Sequence, residues 1–169
     1  MNSTLSKTLA ATMAFTLAGL VSLFFFATAS AYLLPHFIIY ALLVLNTYFS
    51  IRFWSALQPN DVRQLLIDGL LVVTYLALAF SIGRPTHFAI AALALFIAAP
   101  VKYILMRGRT PHEALVERKI FLDSLGTLSC AVLVGGTLAG YALEAAWLFA
   151  MGFTLANVYL LFIRPMYRM

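Results

Sequence analysis

Six apolar runs of about 20 residues each dominate this chain, at approximately 8–33, 36–57, 63–83, 86–107, 114–140 and 144–163. At 1.5 Å per residue, a helix of that length crosses the ~30 Å hydrocarbon core of a bilayer. Of the 169 residues, 63% are hydrophobic and only 10% are charged. That leaves too few polar side chains to cover a soluble globule of this size. No polar stretch is long enough for a separate soluble domain. The expected fold is therefore all-α integral membrane, with 1–169 forming one six-helix transmembrane domain. Lys7, the first run and Ala29-Ser30-Ala31 imitate a secretory signal. The run exceeds the ~7–15 residues of a signal core, so it reads as an uncleaved first helix.

The punctuation between runs is specific. Leu34-Pro35 predicts a tight first turn, and Gln58-Pro59-Asn60-Asp61 offers N-cap side chains to the third helix. Gly83-Arg84-Pro85-Thr86 breaks the third run from the fourth. Thr110-Pro111-His112-Glu113 has the form of a capping box with proline at the first helical position. A further break is expected near Gly140-Tyr141.

Charge sets the expected orientation. The net charge is +5, but the basic residues are not spread as on a nucleic-acid-binding surface. Lys7, Arg52, Arg63, Lys102, Arg107, Arg109, Arg118, Lys119, Arg164 and Arg168 fall on one side, and Arg84 alone on the other. That asymmetry predicts both termini in the cytoplasm and no nucleic-acid partner. It also favours anionic membrane lipids, with Arg52, Arg107, Arg109 and Arg164 as candidate headgroup contacts.

Four residues recur at an offset of 55: Tyr48/Tyr103, Arg52/Arg107, Arg63/Arg118 and Asp68/Asp123. A looser third copy, Asn157-Val-Tyr-Leu-Leu-Phe-Ile-Arg164, repeats the Asn-x-Tyr of Asn46-Thr-Tyr48 but carries one extra residue before its arginine. The chain thus reads as one two-helix hairpin written three times, over about 8–57, 63–107 and 114–163, with pseudo-threefold symmetry. Such a plan is similar to that of several small bacterial inner-membrane proteins, which implies that membrane as the location. No motif is specific enough to carry residues across.

One layer holds the polar groups that membrane topology does not explain. Asp68 and Asp123 each lie five residues inside an arginine, ~7–8 Å deeper. Lys102 lies at similar depth inside Arg107, and Asn46 and Asn157 lie ~9–10 Å inside theirs. Pro100 lacks a backbone donor near that level and frees a carbonyl. Two readings are open. In one, Asp68, Asp123, Lys102, Asn46 and Asn157 line a polar chamber that binds an ion or solute, with Tyr48, Tyr103 and Tyr159 beside it. In the other, Lys102 pairs with one aspartate and the asparagines bond between helices. Two acids against one lysine favour the first reading, because one acid is left over.

Other clusters have plainer readings. His112, Glu113 and Glu117 suit a solvated helix start. His36 and His87 lack a second histidine on their own helices, and Cys130 suits a small apolar filler. Gly136-Thr-Leu-Ala-Gly140 is a GxxxG pattern for close packing. No nucleophile elbow, phosphate loop, zinc-protease helix or cysteine pair is present in the sequence. No catalytic residue, metal or cofactor is assigned. The expected function is a small channel or transporter for a cation, proton or small solute, with pairing to a further copy to enclose a path. The alternatives are a non-catalytic membrane subunit of a larger complex and a lipid-handling membrane protein.

Overall fold

The computed structural model describes residues 3–25, 30–55, 57 and 61–166. Ala29 of the signal-like stretch, positions 58–60 of the second loop and Arg168 lie outside them. Six α-helices follow one another: α1 (Ser3–Phe25), α2 (Leu33–Trp54), α3 (Val62–Phe80), α4 (Pro85–Ile104), α5 (Glu113–Leu138) and α6 (Ala142–Val158). A π-helical turn, Tyr159–Ile163, continues α6. With that turn included, all six are long and apolar enough to cross a membrane. Their outward side chains agree: Phe24, Leu65, Leu138, Leu155 and Phe162 are exposed, as suits a surface solvated by hydrocarbon. Among the described residues the fold is all-helical, with six candidate transmembrane helices, the composition of an integral membrane protein.

Several helix ends differ from expectation. No tight turn forms at Leu34-Pro35, because α2 starts at Leu33 and Pro35 lies within its first turn. First-turn amides have no helical acceptor, so proline is tolerated there. Asp61 caps α3 as expected, its Oδ1 accepting from the Arg63 N–H at 3.3 Å. The box before α5 is not reciprocal. α5 begins at Glu113, so Pro111 precedes the helix. Thr110 Oγ1 accepts from the His112 N–H at 3.3 Å, and Glu113 Oε1 from the Gly108 N–H at 3.1 Å. Both side chains thus satisfy amides of the loop.

The GxxxG pattern splits into two roles. A Cβ on Gly136 would lie 2.8 Å from Ala145 Cβ, so Gly136 lets α5 approach α6. Gly140 has φ +90° and ends α5. The Tyr141 N–H bonds the Gly136 carbonyl at 2.9 Å and the Gly140 N–H bonds that of Thr137 at 3.3 Å, a Schellman closure.

The helices pack in a closed circuit: α1 on α2, α2 on α6, α6 on α5, α5 on α4, α4 on α3 and α3 on α1. α2 and α4 also meet across the circuit. The His36 and Phe88 rings stack at 4.0 Å, and Trp54 meets Tyr103 edge-on at 5.2 Å. Ile39, Leu78, Ala79, Phe88, Ala92, Cys130 and Ala146 fill the main core. His36 is buried and its Nδ1 accepts from the Gly83 N–H at 3.2 Å, so it serves the α3–α4 turn.

The α4–α5 seam follows from Pro100. Without an amide at 100, the carbonyl four residues back, on Phe96, loses its helical donor. Thr127 Oγ1 on α5 donates to that carbonyl at 2.5 Å. Thr127→Val removes the donor at constant shape. Denaturant unfolding in mixed micelles should show a loss of roughly 1–2 kcal/mol, with Thr127→Ser near wild type.

Candidate functional site

The polar layer forms around two ion pairs. Lys102 in the last turn of α4 reaches across to α3, its Nζ donating to Asp68 Oδ1 at 2.7 Å. Lys119 and Asp123 are i,i+4 neighbours on α5 and form a hydrogen-bonded pair, each side chain less than a tenth exposed. Lys119 Nζ also sits 5.3 Å from the centre of the Tyr103 ring, within cation–π range. The Tyr103 hydroxyl pairs with Ser50 at 2.8 Å, tying α4 to α2.

These groups line one chamber of about 600 Å³. α1 contributes Lys7 and Phe15, and α2 contributes Asn46, Thr47 and Ser50, with Ser55 at its C-terminal cap. Asp61, Gln64, Asp68 and Tyr75 come from the start and body of α3, Lys102 and Tyr103 from α4, and Lys119 and Asp123 from α5. Its inner end is apolar: Phe15 stacks on Tyr75 at 4.6 Å, and the Tyr75 hydroxyl reaches the Leu43 carbonyl at 3.3 Å and Thr47. Beyond lies the packed core of Ile39, Leu78 and Phe88. Near the basic end, Asp61 on the lining is bonded by Arg109 at 3.0 Å. That hydrogen bond, with the one from the Arg63 amide, holds the Asp61 carboxyl below its ordinary pKa.

One correction follows. There is no surplus acid, because Lys119 neutralises Asp123 as Lys102 neutralises Asp68. Lys7, Lys102 and Lys119 face Asp61, Asp68 and Asp123 on the lining, so their formal charges sum to zero. Of the four arginines assigned to headgroups, Arg107 pairs with Glu117 at 3.0 Å and Arg109 with Asp61. Arg52 and Arg164 are exposed and make no ion pair among the described residues.

Asn46, Asp68, Lys102 and Asp123 thus line one chamber, and Asn157 does not line it but shares a second cavity with Asn46 and Asp123. Asn157 Nδ2 bonds the Phe153 carbonyl at 2.8 Å, and the second cavity, of about 960 Å³, lies between α5 and α6. Of the three repeated tyrosines only Tyr103 lines the chamber. Tyr48 packs edge-on to Phe49, and Tyr159 is exposed on the π turn. Sequence reasoning missed Lys119 as a site residue, although its i,i+4 spacing to Asp123 was visible. It also missed Thr47, Ser50, Gln64 and Tyr75, which nothing in their local pattern distinguishes.

Three buried polar atoms on the lining have no partner among the described residues: Ser55 Oγ, Gln64 Nε2 and Asp123 Oδ2. The amide nitrogen donates, the carboxylate oxygen accepts and the hydroxyl can do either, so the chamber offers hydrogen bonds of both kinds within a wall of balanced charge. Among the described residues no group of three His, Cys, Asp or Glu gathers as a metal site. Scanned against protein-family models, curated proteins and solved structures, the chain matches none.

Proposed function

We propose that this protein is a small membrane transporter for a polar solute of no net charge, taken up from the basic end. The observation that carries this reading is the chamber of about 600 Å³ lined by Asp68–Lys102 and Lys119–Asp123. Neutralised acids give a bare cation little to bind. A zwitterion can exchange its own charges with the two pairs, and a neutral solute can use Gln64 and Asp123. The ten-to-one split of basic residues supports cytoplasmic placement of that end and of both termini, in a bacterial inner membrane. The three-hairpin repeat is part of the same proposal, and so is pairing with a second copy to complete the path.

Reconstituted vesicles test it, with alanine, glycerol, potassium and protons as probes. Flux is expected for alanine or glycerol, and Asp68→Asn with Asp123→Asn should cut it about tenfold or more, equivalent to ~1.4 kcal/mol. Undiminished flux in a folded double variant, or flux of potassium alone, overturns the reading.

A further inference from the structure

The second cavity lies along the seam between α5 and α6 and is mostly apolar. It runs from Tyr141 and Glu144 at one end to Lys119, Asp123 and Met166 at the other. From Asp123 to Gly136 on α5 that is ~20 Å, longer than half of a ~30 Å hydrocarbon core. Leu125, Val132, Leu148, Met151 and Leu160 are among its walls. Gly152 helps keep it open, since a Cβ there would meet nothing within 4 Å.

This groove is not isolated from the polar chamber. Asn46, Phe96, Lys119 and Asp123 line both. At that junction Asp123 is 6% exposed, and its Oδ2 has no hydrogen-bond partner. An unpartnered buried carboxylate oxygen asks for a donor. Lys119 already balances the charge of that carboxylate. A cationic head would therefore meet a neutralised site, and an anionic head would face a bare carboxylate oxygen.

We infer that the α5–α6 groove binds a single-chain lipid with a neutral, hydroxyl-bearing head, its chain along the groove and its hydroxyl on Asp123 Oδ2. This goes beyond the transport proposal and needs no flux. The occupant is not the headgroup ligand of the surface arginines, because the hydroxyl sits at the level of Asp123, inside them.

The test uses the full chain in phosphatidylcholine nanodiscs doped equally with monooleoylglycerol, oleate and oleylamine, read by native mass spectrometry. One monooleoylglycerol per chain should be retained about tenfold over the other two. Gly152→Phe should abolish that retention. A Cβ at Gly152 meets nothing within 4 Å, so the larger residue fills the groove without a clash at its root, and replacing a helical glycine favours the helix. Asp123→Leu combined with Lys119→Met, which leaves no buried charge unpaired, should keep chain binding but lose the preference among heads. Equal retention of all three lipids by wild type overturns the inference, as does unchanged retention in Gly152→Phe. So does a dimer sealed through this groove that excludes every lipid.

Discussion

Replacing Lys119 by methionine is expected to cost about 3–5 kcal/mol, the usual consequence of leaving one member of a buried ion pair alone. Both side chains of the Lys119–Asp123 pair are less than a tenth exposed, and Asp123 Oδ2 already lacks a partner. Without the lysine, Oδ1 loses its bond to Lys119 as well. Methionine keeps most of the volume and the contact with Tyr103, so the loss reports charge rather than packing. Adding Asp123→Leu should recover most of it, because two apolar residues leave no charge to solvate. Reversible unfolding in mixed micelles of both singles and the double gives the coupling directly. If Lys119→Met loses less than ~1 kcal/mol, the pair behaves as a solvated surface pair and not as a buried one.

Gly126→Val should be nearly as damaging, at about 3 kcal/mol, with loss of folded protein on extraction. A Cβ at Gly126 would lie 2.4 Å from two carbons of the Phe96 ring. That ring has little room to yield. Phe149 and Phe153 meet it edge-on at 6.2 and 5.8 Å, and Thr127 holds the carbonyl of the same residue. Gly135→Ala is the matched control. It adds a methyl to the same helix where nothing lies within 4 Å, and should be neutral or stabilising by up to ~1 kcal/mol. Equal behaviour of the two variants counts against α4–α5 close approach as the basis of the bundle.

Helix number and approximate extent were legible because crossing a bilayer demands length and apolarity, and both are countable. The finer ends were not. Pro35 looked like a turn residue, yet a proline is as comfortable inside the first turn of a helix as before it. Counting inward from each arginine measured depth along a helix but not direction around it. Asp68, Lys102 and Asp123 sit at one depth and turn into one chamber, whereas Asn157, at similar depth, turns into the α5–α6 groove. Lys119 was hidden by its neighbourhood: next to Arg118 it looked like one more interfacial charge, although it is buried. The extra residue before Arg164 was visible as an irregularity. It falls in the stretch Tyr159–Ile163, where the chain winds as a π turn and so takes up more residues per turn.

The bond from Thr127 to the Phe96 carbonyl makes the order of mutation matter. If position 100 first regains an amide, as in Pro100→Ala, the Phe96 carbonyl recovers its helical donor, and Thr127 is then free to drift to an apolar residue. Taken the other way round, the first step strands a buried carbonyl. The two sites, 27 residues apart in sequence and on different helices, therefore form an epistatic pair with one open path and one blocked path. Lineages of this protein should lose the proline before, and not after, they lose the threonine.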